Sequence, residues 1–189
     1  GSEMCIRDRK KLMLPDFFQA SEVPIVHKFY RNYFKDCYVC GDVDYIFGPN
    51  TAFFDHCEIH SIARVSEEKA YITAASTPAG QEFGLIFSHC RITGEEPDSV
   101  YLGRPWRDCA KTAFICCELG DHICPEGWQN WGKVRAEVLS DYIEYGNFGP
   151  GADCSGRSPL SRCLVNPEVE TYFSKENVLV GEDGWIPAE

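Results

Sequence analysis

The sequence has no apolar run close to the roughly 18 residues that a membrane-spanning helix needs. It is poor in positive charge, with 18 Lys and Arg against 29 Asp and Glu and a net charge of −11. That balance argues against nucleic acid as a partner, because neutralising phosphates requires clustered basic side chains. Residues 1–9 lack the apolar core of a signal peptide. Gly1-Ser2 reads as a tag scar, and the whole stretch resembles translated adapter sequence, so it is expected to lie outside the fold, with the native start further upstream. Helical periodicity is weak along most of the chain. What remains is an ordinary globular composition, 44% hydrophobic, enough for one sizeable core. The expectation is one domain over residues 10–189.

The chain has eleven cysteines, an odd number. Cys37 and Cys40 form one CxxC pair with no second pair at zinc-finger spacing. Cys116, Cys117, His122 and Cys124 make a local cluster that could hold a metal. The competing reading is buried free thiols acting as small hydrophobes, and a repeat favours it.

Phe34-Lys35-Asp36-Cys37-Tyr38-Val39 matches Phe54-Asp55-His56-Cys57-Glu58-Ile59, Phe87-Ser88-His89-Cys90-Arg91-Ile92 and Phe114-Ile115-Cys116-Cys117-Glu118-Leu119. The pattern Phe-x-x-Cys-x-aliphatic thus occurs four times. Cys and the aliphatic residue are two apart and face the same way on a strand. Phe is three before Cys, an odd offset that requires a bend. Strand, bend, strand is one coil of a solenoid, whose stacking aligns like residues into interior ladders. His56 and His89 then fall at the same bend and read as turn residues rather than ligands. The polar segments Ser66-Glu67-Glu68-Lys69 and Gly94-Glu95-Glu96-Pro97-Asp98-Ser99 read as protruding loops.

A second set of short apolar runs lies between the repeats: Val43-Asp44-Tyr45-Ile46-Phe47, Ala70-Tyr71-Ile72-Thr73-Ala74 and Val100-Tyr101-Leu102-Gly103. Each reads as a strand, and stacking would place them about 4.8 Å apart in one parallel sheet. A short helix is expected over residues 167–173, where Pro-Glu can start it.

Asp44 is an acid inside an apolar run, which is costly without a partner. Arg104 ends the third run, two rungs and so roughly 10 Å away, within reach of an Arg side chain. A structural ion pair and a catalytic pair fit this spacing equally well. Phe47 ends its run and Trp106 follows Arg104 by two residues; their flat faces suit sugar rings, although rim packing is also an ordinary use of such residues.

Two segments carry a family resemblance. Gly41-Asp42-Val43-Asp44-Tyr45-Ile46-Phe47-Gly48 is similar to the pectin methylesterase signature Gly-x-Val-Asp-Phe-Ile-Phe-Gly, and Leu102-Gly103-Arg104-Pro105-Trp106 is the family's Leu-Gly-Arg-Pro-Trp. Support comes from residues 33–38, from residues 71–78, 126–131 and 144–152 (which resemble bacterial members), and from residues 185–187. The resemblance covers about residues 27–187. It implies an all-β, right-handed parallel β-helix of the pectin-lyase-like kind, lacking its N-terminal coils. It implies hydrolysis of pectin methyl esters, with Asp44 as nucleophile, Arg104 keeping it charged and aimed, and Phe47 and Trp106 lining the sugar groove. It calls for no metal and no cofactor. The expected partner is methylated homogalacturonan, acted on by a monomer outside the cell.

The family's Gln-Asp-Thr-Leu motif, source of the general acid, and its oxyanion glutamines have no counterpart here. Asp16 precedes Asp44 by 28 residues, but its setting, Leu14-Pro15-Asp16-Phe17-Phe18-Gln19, does not match. Residues 10–24 resemble an insertion that follows the motif in some bacterial members. Impaired activity is therefore expected. Three rivals stand beside the esterase: a calcium-dependent pectate lyase using Asp42 and Asp44, a non-catalytic carbohydrate binder using Trp106, Trp128 and Trp131, and an esterase of the same fold acting on another ester.

Overall fold

A computed structural model describes residues 30–66, 68–181 and 183–187. The leader at residues 1–9, the segment at 10–24, Asp16 and Glu67 lie outside the described residues.

Among the described residues the strands form three parallel sheets, of six, four and three strands. The first coil is β1 (Arg31–Lys35), β2 (Tyr38–Gly41) and β3 (Ile46–Gly48). The second is β4 (Thr51–Asp55), β5 (Glu58–Ser61) and β6 (Ala70–Ala75), and the third is β7 (Leu85–Ser88), β8 (Arg91–Gly94) and β9 (Val100–Pro105). The fourth has β10 (Lys111–Ile115) and β11 (Glu118–Leu119), and Ile123 and Trp128 extend the third sheet through isolated bridges to Val100 and Gly103. The short helix α1 (Ala136–Leu139) leads into β12 (Asp141–Tyr145), and β13 (Ser161–Leu164) follows. The sheets order as β1-β4-β7-β10-β12-β13, β11-β8-β5-β2 and β3-β6-β9. The chain is a right-handed parallel β-helix.

The corner between the first two sheets explains the odd offset in the repeat. Asp36, His56, His89 and Cys116 all have left-handed backbone, with φ of 52°, 51°, 55° and 54°. One such residue turns the chain sharply between two strands. His56 and His89 are turn residues, and their rings stack at 5.1 Å. Behind the corner, Phe34, Phe54, Phe87 and Phe114 stack at centroid distances of 4.7, 4.7 and 4.5 Å. Val39, Ile59, Ile92 and Leu119 align in register beside them. The cysteines suit their place because a thiol is small, apolar and still a weak donor. Cys57, Cys90 and Cys117 each donate to the carbonyl of the Phe one coil back, Phe34, Phe54 and Phe87, at 3.3–3.4 Å.

A fifth coil was not legible in the repeat, because Glu144 takes the place of the phenylalanine. It pairs in register with Phe114 and is buried. Gly146 (φ 62°) makes the corner. Asn147 replaces the cysteine and accepts a hydrogen bond from the Cys117 amide. Glu144 binds Arg157 through two contacts of 2.9 and 3.0 Å and accepts from the Trp128 indole. A charge so buried is tolerated only with this full set of partners.

Several expectations need correction. The strand expected over residues 43–47 starts only at Ile46, because Asp44 is in the left-handed region (φ 48°). The cluster Cys116, Cys117, His122 and Cys124 is dispersed: Cys117 points into the ladder, Cys116 faces the outer corner, and His122 is buried against Gly94 and Gly120. Cys154 and Cys163 form a disulfide, so these two are not free thiols. The helix expected at residues 167–173 is α2 (Glu168–Tyr172), with Pro167 at its start, and α3 (Lys175–Leu179) follows it. Phe53, Ile86, Ala113, Ile143, Val169, Phe173, Val178 and Leu179 form a second apolar cluster, which joins the outer face of the first sheet to these helices.

Candidate active site

The site lies on the third sheet. Its first piece is the tight turn before β3. A Cβ on Gly41 would come 2.3 Å from Tyr45 Cβ, so only glycine lets the chain fold back this closely. Tyr45 is anchored by a 2.9 Å hydrogen bond to Ser61. Asp44 sits at the apex, and its amide donates to Tyr71 O at 2.7 Å. Left-handed backbone on a non-glycine residue costs about 1–2 kcal/mol, and Asp is among the residues that tolerate it.

The second piece is β9. A Cβ on Gly103 would lie 2.1 Å from Thr73 Oγ1 and 3.1 Å from the Trp128 ring, which accounts for the glycine before Arg104. Phe47, Ala74 and Arg104 share one register row. From that row Arg104 reaches back to Asp44: Nε donates to Oδ1 at 3.0 Å and Nη2 to Oδ2 at 2.6 Å. The guanidinium lies 3.9 Å from the Tyr71 ring centre and 3.8 Å from that of Trp131. A planar cation held between two aromatic faces and bound at its edge by a carboxylate has almost no rotational freedom left. Burial raises the Tyr71 phenol above its ordinary value, opposed by Arg104.

Trp131 is placed by its own turn. Its amide donates to Gln129 Oε1, and the Gly132 amide to Asn130 Oδ1. Lys133 then ties this turn to the Arg-Pro-Trp segment. Its Nζ donates to Pro105 O at 2.9 Å and Trp106 O at 3.1 Å, and lies 4.4 Å from the Trp131 ring centre. Burial lowers the Lys133 ammonium below its usual value.

The structure therefore brings together all four residues picked from sequence. Asp44 and Arg104 form the ion pair, and Phe47 and Trp106 stand at the rim with ring centres 5.4 Å apart. Phe47, Trp106 and Trp131 are 40%, 39% and 39% exposed, whereas Trp128 is 1% exposed. Trp128 stacks on Tyr142 at 4.2 Å, so it belongs to the core and cannot serve a carbohydrate binder. Tyr71 and Lys133 were missed by sequence reasoning. Residues 126–131, quoted only as a supporting segment, contain Trp131, which closes over the arginine. Among the described residues, no cluster of three candidate metal ligands includes Asp42 or Asp44, and Asp44 is committed to Arg104.

Comparison with known proteins gives the chain's family. The family model described as "Pectinesterase" matches residues 19–182. Pectinesterase 31 of Arabidopsis thaliana is 39% identical over 140 residues, covering 73% of this chain and 43% of that protein. The solved pectin methylesterase from carrot superposes with a TM-score of 0.74 at 29% identity, covering 84% of this chain and 52% of that one. A pectin methylesterase solved with a hexasaccharide gives a TM-score of 0.68 at 28% identity, covering 84% and 53%. The first two are from plants, which lends no support to a bacterial leaning. The chain spans roughly half the length of these relatives or somewhat less. It belongs to the pectinesterase family.

Proposed function

We propose that this chain carries the nucleophile side of a pectin methylesterase site. The observation that supports the reading most is the two-point Asp44–Arg104 pair, fixed between Tyr71 and Trp131 beside an exposed aromatic rim. An aspartate so held presents its remaining lone pairs outward with little freedom to lose, the condition for efficient attack. One Asp44 oxygen adds to the methyl-ester carbonyl of a galacturonate unit. The C–O bond to methoxide breaks, methoxide takes a proton and leaves as methanol, and an acyl-enzyme remains. Water then cleaves the acyl-enzyme, releasing the free galacturonate and restoring Asp44. Arg104 holds the nucleophile through both steps, and Phe47 and Trp106 receive the sugar faces. The substrate is methylated homogalacturonan.

The group that gives methoxide its proton, and the donors that stabilise the oxyanion, have no counterpart in this sequence. Such donors contribute a few kcal/mol each, and general acid catalysis about 10²–10⁴-fold. The 189-residue chain alone is accordingly proposed to be slow. We also assign residues 10–189 to one β-helix domain, with residues 1–9 outside it, and regard the protein as a monomer acting outside the cell. The Cys154–Cys163 disulfide suits that setting.

The test is methanol release from highly methylated pectin, by the chain alone and by the chain joined to the coils of a relative that supply the Gln-Asp-Thr-Leu segment. The joined protein should be at least about 10²-fold faster. A folded joined protein that releases no methanol contradicts the reading.

A further inference from the structure

We propose that His89, Cys116 and Glu170 form a binding site for one zinc-class transition-metal ion, at the corner between the first and second sheets. His89 and Cys116 are the left-handed corner residues of the third and fourth coils, so their side chains leave the solenoid one rung apart. Glu170 comes from α2, which packs on the outer face of the first sheet. The ligand atoms of the three residues all lie within 4.8 Å of one another, and His89 Nε2 is 3.8 Å from Glu170 Oε1.

The geometry fits a metal with small adjustment. Zinc bonds of about 2.0–2.3 Å in a tetrahedron put neighbouring ligand atoms roughly 3.5 Å apart. The three groups must therefore close by up to about 1.3 Å, and two of them, His89 and Glu170, are half-exposed side chains. One nitrogen, one sulfur and one oxygen donor favour zinc or cobalt over magnesium or calcium, and water would take the fourth position. Binding converts the Cys116 thiol to thiolate with release of one proton.

The surroundings are arranged as a ligand set needs. Ser88 Oγ lies 3.0 Å from His89 Nδ1, which orients the ring and leaves Nε2 toward Glu170. His56 stacks on the other side of that ring and is itself held to Asp55 at 2.6 Å. A Cβ on Gly146, the corner of the next coil, would stand 3.1 Å from Cys116 Sγ, so glycine there keeps the sulfur accessible. The other grouping of this kind among the described residues, Glu144 with Cys154 and Cys163, fails the same test. Its sulfurs are joined in a disulfide and its carboxylate is bound to Arg157 and Trp128. The proposed site is on a different edge of the solenoid from Asp44, and a metal there would pin α2 to the coil corners rather than take part in ester cleavage.

The full chain, freed of metal by chelator, is titrated with Co²⁺ and then Zn²⁺. One equivalent of cobalt should give a thiolate-to-metal charge-transfer band that zinc abolishes, and zinc should raise Tm by several degrees. Cys116→Ser should remove the band and the rise in Tm. Glu170→Gln should weaken binding at least tenfold without changing the circular dichroism spectrum. Cys40→Ser, which removes an exposed thiol elsewhere, should change nothing. Absence of one-equivalent binding at millimolar cobalt, or a band that survives Cys116→Ser, overturns the proposal.

Discussion

The Phe-Cys-aliphatic ladders and the Asp44–Arg104 rim are built from the same coils yet obey opposite rules. In the ladders like side chains stack on like, the second to fourth coils hide them fully, and the thiols of Cys57, Cys90 and Cys117 donate inward to a carbonyl one coil back. At the rim the chain accepts a strained aspartate, a paired charge and three aromatic rings about 40% exposed. Such features reduce stability or solubility unless a ligand uses them. Repetition supplies the stability, and the departures from repetition mark the chemistry.

Substitutions should separate the two regions. The largest effect expected is on the ladder: Phe87→Ala leaves a cavity between Phe54 and Phe114 and should cost about 3–5 kcal/mol in urea unfolding, while the folded fraction keeps its Asp44–Arg104 pair. At the rim, Arg104→Lys keeps the charge but loses the two-point grip and the stacked plane. Methanol release by the joined protein should fall about 10²-fold, equivalent to about 2.7 kcal/mol, with stability changed by less than about 1 kcal/mol. A large stability loss with unchanged turnover would reduce the pair to a structural brace.

His122 gives a third contrast, since it is fully buried with neither ring nitrogen bonded. Burial, reinforced by His60 and opposed by Asp121, lowers it from 6.5 to about 4. The folded state therefore keeps it neutral where the unfolded chain would protonate it. Stability from this group is complete above about pH 6.5 and declines as pH falls toward 4, by about 2–3 kcal/mol. Unfolding measured at pH 7 and pH 4.5 should show that decline, and His122→Leu should flatten it. The smallest effect belongs to the rim aromatics. Trp106→Ala should raise KM about tenfold, or about 1.4 kcal/mol, with Tm nearly unchanged. A KM that does not move would remove Trp106 from the sugar groove.

The ladders were legible because stacking repeats a residue type at a fixed place in each coil, so Phe34, Phe54, Phe87 and Phe114 announce themselves. The ion pair was legible as a distance, since rung spacing and the length of an arginine fix its reach. The backbone of Asp44 was not, because alternation along a strand carries no mark of a left-handed turn. Nor was the stacking of Trp131 on Arg104, which depends on a turn some 27 residues downstream. The fifth coil escaped notice because Glu144 breaks the pattern while keeping the register. The Cys154–Cys163 disulfide was hidden among cysteines whose spacing does not reveal pairing.

Asp44 as nucleophile is tested most directly by Asp44→Asn, measured as methanol release from highly methylated pectin by the joined protein. The amide keeps the size and one acceptor of the carboxylate but is not a nucleophile. Release should fall at least about 10³-fold with the β-helix intact by circular dichroism. Release within a few-fold of the unsubstituted protein would show that the ester is cleaved without Asp44 as nucleophile.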